Sequence, residues 1–203
     1  METGNAVVSL PKFEPLKAHE MSCGHIQFRK LPVPAHRRKL LHKNWRRVYD
    51  LVHDVMKVDI RTKLTKPVQV QLKTKPDTPE IGHLQKCADF IHAILLGFEV
   101  EDAEALLRMD ELYVDSFDIK DVKVLRGDHL SRAIGRLSGK NGRTKHAIEN
   151  ATKARIVIAD TRIHIMGTFT CIKIARNCLC SLILGSPAPK VYSKLQQLAS
   201  KIA

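Results

Sequence analysis

The sequence predicts an α+β fold made of two tandem units, each with the element order β-α-α-β-β-α. Apolar residues recur along the 203-residue chain with the periods of strand and helix, and they follow that order twice. The charge supports the same division, because residues 26–75 and the residues from Val124 onward are basic, whereas residues 99–121 are acidic. We therefore expect a flexible N-terminal arm over residues 1–25, a first domain over 26–110 and a second domain over 111–203.

The first unit begins with a strand in "IQFRKLPVP" and continues with a helix over residues 35–56. Seven apolar residues at helical spacing are expected to face the core: Leu40, Leu41, Trp45, Val48, Leu51, Val52 and Val55. "VDIRTKL" and "PVQVQLK" predict two strands around a Thr-Lys-Pro turn, and a helix follows over residues 83–96. The end of that helix, "FIHAILLG", matches "CLCSLILG" of the second unit position by position, which indicates a degenerate internal duplication.

The second unit begins with an alternating strand, "LYVDSFDIKDV", over residues 112–122. Asp128 can cap a helix whose apolar residues have helical spacing, and a second helix follows after a short glycine loop. "ARIVIA" and "RIHIMG" predict two strands that turn at Asp160-Thr161. A long C-terminal helix is predicted over residues 169–184, because Gly185 and two nearby prolines end its pattern.

The glycine loop, Gly139-Lys140-Asn141-Gly142, separates the two helices of the second unit. Glycine at both ends allows a sharp turn and a close approach of the backbone to a ligand. The next helix begins at this loop, so its free N–H groups and its positive end converge on one point, which favours an anion. A phosphate chain can be bound in this way without any base being read.

Side chains around the loop complete the predicted site. Five cations are expected to face the phosphates: Arg132, Arg136, Lys140, Arg143 and Lys145. The strand that carries Ile156 and Ile158 is expected to line an apolar groove for the bases. His146 and His164 are expected near the same RNA-binding face, where they could add contacts to RNA. Solvated or core histidines are the simpler interpretation.

A G-x-x-G loop between two helices, within the order β-α-α-β-β-α, is the pattern of a type I K-homology (KH) domain. Such a loop contacts about four nucleotides of a single strand. The formal net charge of +13 and the pI of about 9.7 agree with a polyanionic ligand. The first unit has no G-x-x-G between its helices. We therefore predict two tandem type I KH domains, of which the first is degenerate and only the second clamps RNA.

Long runs of the sequence resemble one family of KH proteins. "GDHLSRAIGRLSGKNGRTKHAIENATKARIVIADTRIHIMGTF" closely resembles the second KH domain of the partner-of-Nob family, also called the Dim-two family. "PVPAHR", "ADFIHAILLGFEVEDAEALLRMDELYVDSFDIKDVK" and "LILGSPAPKVYSKL" are similar to other landmarks of that family. The resemblance extends from Ile26 to Ala203, and it places the family's RNA-gripping loop on Gly139 to Gly142, with Arg143 just after it.

The resemblance implies an assembly factor of the small ribosomal subunit. Such a factor binds precursor rRNA near the 3′ end of the future 18S rRNA, on the pre-40S particle, and takes part in 18S rRNA maturation. The implied partners are the Nob endonuclease and the rRNA dimethyltransferase. The implied location is the nucleolus and nucleus, with shuttling to the cytoplasm on pre-40S particles. Ser138, Lys145 and Lys153 replace the apolar, apolar and glycine residues of a general KH consensus, which favours phosphate contacts over base reading.

The sequence argues against catalysis, a cofactor, a metal or a membrane partner. No cysteines form C-x-x-C, and no histidines have metal-ligand spacing, so core cysteines in a reducing compartment are expected. No stretch has the length and apolarity of a membrane span, and no secretory signal is expected. The acidic residues 99–111 fit a solvated helix better than a catalytic cluster, with Ala105, Leu106 and Met109 inward and Glu101, Glu104 and Arg108 outward.

Two alternatives stay open. The chain could be a KH protein of another RNA pathway, such as decay or translation, because the loop does not specify its RNA. It could also be an enzyme acting on rRNA, although the sequence has neither a carboxylate cluster nor a nucleotide-binding glycine motif. The favoured interpretation is a non-enzymatic RNA-binding scaffold.

Overall fold

A computed structural model describes residues 26–80 and 82–202, with side chains up to Gln197. The predicted flexible arm over residues 1–25 lies outside the described residues. The fold is α+β, with two three-stranded antiparallel sheets and helices packed against them, which confirms the predicted fold class. Within the described residues, no helix combines the length and the apolar character that crossing a membrane would need.

The first domain has the sheet order β1-β3-β2. Its strands are β1 (Phe28–Pro32), β2 (Val58–Lys63) and β3 (Gln69–Thr74), and its helices are α1 (Arg38–Lys43), α2 (Trp45–Asp50) and α3 (Gly82–Leu96). A short 3-10 turn, Ala35–Arg37, precedes α1, and a π turn, Leu51–Val55, continues α2. Where the second domain has its glycine loop, only Asn44 separates α1 from α2.

The predicted helix over residues 35–56 is therefore interrupted, and this changes which residues face inward. Leu41, Val48 and Val52 are buried as predicted. Leu40 and Val55 were expected inward but are 37% and 62% exposed. The reason is geometric: the break at Asn44 and the π turn rotate the flanking segments away from the face of one continuous helix with 3.6 residues per turn.

Helix α4 (Val100–Arg108) connects the two domains and packs against α3. Leu106 is buried as predicted, together with Val100, Ala103 and Leu107. Met109 was expected inward but is 51% exposed, because the backbone has already left the helix there, with φ −116° and ψ 129°. Glu104 was expected in solvent, but its side chain is only 18% exposed and forms ion pairs with Arg47 and Arg108.

The second domain has the sheet order β4-β6-β5. Its strands are β4 (Tyr113–Asp118), β5 (Arg155–Ala159) and β6 (Arg162–Gly167), and its helices are α5 (Ile119–Val122), α6 (Asp128–Ser138), α7 (Arg143–Thr152), α8 (Phe169–Leu184) and α9 (Ala188–Ile202). The side chains of Ile148, Ile163, Ile165 and Leu179 form the centre of its core.

Two element boundaries in the second domain differ from the prediction. The strand predicted over residues 112–122 ends at Asp118, whose carboxylate accepts the Lys120 N–H while its own N–H donates to Asp121, so a capping box starts α5. Asp128 was expected to cap α6, but it is the first helical residue and Gly127 is the N-cap. The Asp128 side chain still lies in the first turn, where its negative charge interacts favourably with the positive end of the helix dipole.

The first domain covers the outer face of the second sheet. Met166 of β6 belongs to the buried cluster of the first domain, and Val114 and Val157 pack against that cluster. Arg155 of β5 also pairs with Asp102 of α4, at 2.8 Å between Nε and Oδ1. The two sheets therefore do not have equivalent surroundings: the outer face of β4-β6-β5 is a contact between domains.

His164 lies in this contact and is only 5% exposed, with its Nδ1 2.7 Å from Ser116 Oγ. It is therefore not available to RNA, and of the two simpler interpretations, a solvated or a core histidine, the structure shows the second. Burial lowers the pKa of His164 below its ordinary value, and the positive charge of Arg162 lowers it further. The neutral form is thus favoured in the folded chain.

We expect His164 to make folding stability depend on pH. Because its pKa is lowered in the folded state, the unfolded chain binds this proton first as the pH falls. The contribution to the free energy of unfolding is constant above about pH 6.5 and decreases below it, by at most about 1.4 kcal/mol per pH unit. Thermal melts of the chain and of His164→Gln between about pH 7.5 and 5 test this. The melting temperature of the variant should fall less with pH, and parallel curves would contradict the assignment.

Candidate nucleic-acid interface

The loop between α6 and α7 is a tight turn that glycine and asparagine make possible. The Gly139 N–H donates to the Gly135 carbonyl at 2.9 Å, and the Gly142 N–H donates to the Gly139 carbonyl at 3.3 Å. Gly139, Asn141 and Gly142 all have positive φ, at 72°, 55° and 75°. These are conformations that glycine adopts freely and that asparagine tolerates better than most residues. The turn leaves the Lys140 and Asn141 side chains exposed.

Gly139 is also required by close packing beneath the loop. A Cβ atom on Gly139 would overlap the Thr144 side chain and would lie 2.9 Å from the Thr144 backbone nitrogen. Thr144 is 6% exposed, and the Tyr192 hydroxyl donates to its Oγ1 at 3.2 Å. Helix α9 thus supports the loop from below through Tyr192. Sequence reasoning missed both residues, because neither belongs to the G-x-x-G pattern.

The structure gathers three of the five predicted cations around the loop. Lys140 and Arg143 are exposed, and neither has an ion-pair or hydrogen-bond partner in the part of the chain that the structure describes. Lys145 is half-buried, with its Nζ 3.7 Å from a Glu149 carboxylate oxygen. Unpaired positive charge therefore concentrates at the start of α7, where its free N–H groups also point.

The other two predicted cations lie on the exposed side of α6. Arg132 donates from Nε to the Asp128 carbonyl at 3.2 Å, so it is partly engaged in its own helix. Arg136 reaches toward the end of α8, where a Cβ on Gly185 would lie 3.9 Å from its Nη1. Both arginines extend the positive surface behind the loop, but the structure does not place them beside Lys140 and Arg143.

Glu149 is a buried carboxylate that joins α7 to the edge strand β5. It is 5% exposed; its Oε1 accepts the Ile156 N–H at 2.8 Å, and its Oε2 lies 3.0 Å from His146 Nδ1. It therefore sets the distance between the helix that begins at the loop and the strand beside it. The sequence signal for Glu149 was its position three and four residues after His146 and Lys145, which are neighbours on a helix.

At the edge strand β5, the groups that a base can contact belong to the backbone more than to the side chains. Ile156 was expected to line the groove, but this is wrong: it is 1% exposed and packs in the domain core, because alternate residues of β5 face opposite sides. Ile158 is half-buried and keeps some accessible surface. Because the Ile156 N–H points away from β6, the N–H of Ile158, two residues on, points outward as well. The open edge at Ile158 can thus pair with a base.

Potential metal ligands and thiols are dispersed over the described ranges. Over residues 26–80 and 82–202 no group of three or more His, Cys, Asp or Glu side chains could hold a metal ion. Cys87, Cys171 and Cys178 are buried and Cys180 is half-buried, and all four are free thiols. Burial raises the pKa of Cys87 to about 12, so this thiol stays protonated and unreactive.

Comparison with known proteins identifies the second domain, and the matching relatives cover most of the chain. Residues 116–200 match the family model of the second KH domain of PNO1, a eukaryotic type KH-domain (KH-domain type I). Over 177 residues the chain is 53% identical to "RNA-binding protein pno1" of Dictyostelium discoideum, covering 87% of this chain and 74% of that protein. Over 192 residues it is 50% identical to "Pre-rRNA-processing protein PNO1" of Debaryomyces hansenii, covering 95% and 74%.

A solved structure with the same fold agrees with this. The aDim2p chain in the crystal structure of the a/eIF2alpha-aDim2p-rRNA complex from Pyrococcus horikoshii matches with a TM-score of 0.76. The match covers 90% of this chain and 99% of that one at 24% identity, so it supports the arrangement of the two domains and not a shared activity.

Proposed function

The chain belongs to the PNO1 family of RNA-binding, pre-rRNA-processing KH proteins, and from this premise we propose that it binds precursor rRNA near the 3′ end of the 18S region. One observation carries the proposal: the unpaired cations Lys140 and Arg143 stand on the G-x-x-G turn and directly after it, at the start of α7, the helix whose Glu149 binds the open edge strand β5. This arrangement can bind a phosphate chain and a few unstacked bases together.

In this proposal, the loop binds the phosphates of the RNA and β5 binds its bases. Phosphates cross the loop, where their negative charge is neutralised by Lys140, by Arg143 and by the N–H groups at the start of α7. Gly139 and Gly142 keep the backbone close to the strand that is bound. Bases then lie between the loop and β5, where the backbone of Ile158 can pair with one base edge. Most of these contacts are to the phosphate, so affinity depends more on charge than on base identity.

The first domain would serve protein contacts of the same factor. It keeps the KH-like fold but joins α1 to α2 at Asn44 without a loop, so it cannot clamp RNA in the same way. We propose that its surface, on a pre-40S particle, is available to the Nob endonuclease and the rRNA dimethyltransferase. The proposed location is the nucleolus and nucleus, with shuttling to the cytoplasm on these particles.

We propose no catalytic role, in agreement with a family of RNA-binding KH proteins. The chain would position precursor rRNA while a partner cuts or modifies it. Purified chain incubated with labelled precursor RNA and Mg²⁺ should leave the RNA intact. Specific cleavage that is lost on removal of the metal would instead support an enzyme.

The decisive experiment is to crosslink the chain to RNA in cells and to sequence what is bound. We expect the reads to concentrate near the 3′ end of the 18S region of precursor rRNA. Reads that fall mainly on messenger RNA would instead indicate a KH protein of decay or translation. The same experiment on a variant with a damaged loop is the control, because its reads should decrease at the main site.

We expect RNA binding to be strongly salt-dependent. Two loop cations, Lys140 and Arg143, that neutralise phosphates of a single strand give a slope of about −1.4 in a plot of log affinity against log salt, since each contact contributes about −0.7. Titrations from low to physiological salt with a short single-stranded RNA measure this slope. Removing Arg143, as Arg143→Gln, should reduce its magnitude by about 0.7. An affinity that stays flat over this range would contradict phosphate binding at the loop.

A further inference from the structure

The sheet of the first domain has an outer face that no other described element covers. Side chains alternate across strands, so Val58, Ile60, Val70 and Leu72 face the core. The other face, which we call the open sheet face, consists of Phe28, Lys30, Asp59, Arg61, Lys63, Gln69, Gln71 and Lys73. A depression of about 330 Å³ lies there, and its lining includes Phe28, Arg61, Gln71 and Lys73 of the sheet and Tyr49 of α2.

The open sheet face is strongly positive and its charges are not compensated. Four cations, Lys30, Arg61, Lys63 and Lys73, have no ion-pair or hydrogen-bond partner among the residues that the structure describes. The one acid on the face, Asp59, already pairs with Lys75 at 3.3 Å. The register places Lys30, Gln71 and Arg61 side by side on the three strands, so their Cα atoms lie within about 10 Å. Such a field attracts a polyanion.

Exposed aromatic rings accompany these cations. Phe28 is 46% exposed, and Lys30 Nζ lies 5.4 Å from the centre of its ring. Tyr49 is 38% exposed and stacks on His53, with ring centres 4.9 Å apart and an interplanar angle of 16°. Flat rings beside cations are typical of sites for single-stranded nucleic acid, because bases stack on the rings and phosphates bind to the cations. An acidic protein surface would use the cations but would leave the rings without a specific role.

We propose that the open sheet face is a second binding site for single-stranded RNA, separate from the G-x-x-G loop. Phe28 stacks on a base, Lys30, Arg61 and Lys73 bind phosphates, and the Gln71 amide contacts a base edge. The proposal rests on the proposed function only in that RNA is the ligand of the chain. The degenerate domain thus binds RNA through its sheet and not through a loop, and a longer RNA can occupy both sites.

The test compares three variants of the full chain. The first, Lys30→Gln/Arg61→Gln/Lys73→Gln, removes charge from the open sheet face, and the second, Phe28→Ala, removes only the ring. The matched control, Lys120→Gln/Lys123→Gln/Lys173→Gln, removes the same charge from exposed positions of the second domain, near its other edge strand β4. All these side chains are exposed, so thermal melts should show little change.

Each variant is titrated by fluorescence anisotropy with two uridine RNAs. One has about 30 nucleotides, and the other has about six, enough for the roughly four that a G-x-x-G loop contacts. On the long RNA we expect the triple sheet variant and Phe28→Ala to lose affinity about fivefold, and the control less than twofold. On the short RNA, which the loop binds, all three should match the unmodified chain.

The outcomes separate this proposal from the function proposed for the loop. A triple sheet variant that loses no more affinity than the control, or a Phe28→Ala variant that loses none, would overturn the second site. The open sheet face would then be left for an acidic protein. Loss of short-RNA binding in a loop variant would still support the loop. Conversely, a loop variant that keeps its affinity for the short RNA would contradict the proposed function without affecting the sheet result.

Discussion

Replacing Lys140 and Asn141 together with aspartate is expected to lower RNA affinity at least tenfold while leaving the melting temperature unchanged. Both side chains are exposed on the turn, and Lys140 has no partner within the described part of the chain. Asn141 has φ 55° and ψ 33°, which aspartate tolerates nearly as well, and both glycines remain. The change removes one phosphate-facing cation and adds two negative charges. A tenfold loss corresponds to about 1.4 kcal/mol.

The measurement is paired, with thermal melting for the fold and a fluorescence-anisotropy titration for binding to RNA from the 3′ end of the 18S region. The matched control is Lys123→Asp/Asn177→Asp, which makes the same chemical change at exposed positions away from the loop. It should alter RNA affinity less than twofold, because only general charge changes. If the loop variant melts normally and binds RNA as well as the unmodified chain, then the loop is only a turn.

Gly139→Ala is expected to destabilise the chain by about 2–3 kcal/mol and to abolish RNA binding at the loop. Gly139 has φ 72° and ψ 177°, a region that residues with a Cβ occupy only with strain of about 1–3 kcal/mol. Its Cβ would also meet the buried Thr144 side chain and, at 2.9 Å, the Thr144 backbone nitrogen, neither of which can move without shifting α7. For a chain of this length the melting temperature should fall by about 4–12 °C.

Gly135→Ala is the matched control, since it is the same substitution one helical turn earlier. Gly135 lies within α6, and a Cβ there would meet no atom within 4 Å. Alanine is the better helix former, so this variant should be more stable by about 0.4–1 kcal/mol. The two glycines should thus respond in opposite directions. Equal melting temperatures for Gly139→Ala and the unmodified chain would mean that the turn rearranges easily, and the rigid-loop model would be wrong.

The elements that were predicted correctly depend on local sequence. The strands at β2, β3, β5 and β6, and the helices at α3 and α8, follow patterns in which neighbouring residues alone set the period. The errors arose where the backbone leaves a regular element. Leu40, Val55 and Met109 were assigned inward by helical spacing, and each lies beside a break, a π turn or a helix end that the spacing does not reveal.

The candidate site shows the same division. The sequence by itself determined the glycine loop, because two glycines and an asparagine can make a turn of positive φ with no help from distant residues. It also placed Lys140 on that turn and Arg143 directly after it. The support beneath the loop comes from Tyr192, whose hydroxyl donates to Thr144, 48 positions away in the sequence. The Glu149 carboxylate accepts the N–H of Ile156, 7 positions away. No local pattern predicts such pairs.

Only the tertiary structure decided which sheet faces are covered. Alternation in the sequence shows that each strand has two faces, but not what packs against the second one. The first domain buries the outer face of β4-β6-β5, where His164 and Met166 lie, whereas Phe28, Lys30 and Arg61 remain on a face that no described element covers. The physical reason is that burial is a property of the packed chain, since apolar surface is removed from water by whichever element docks against it.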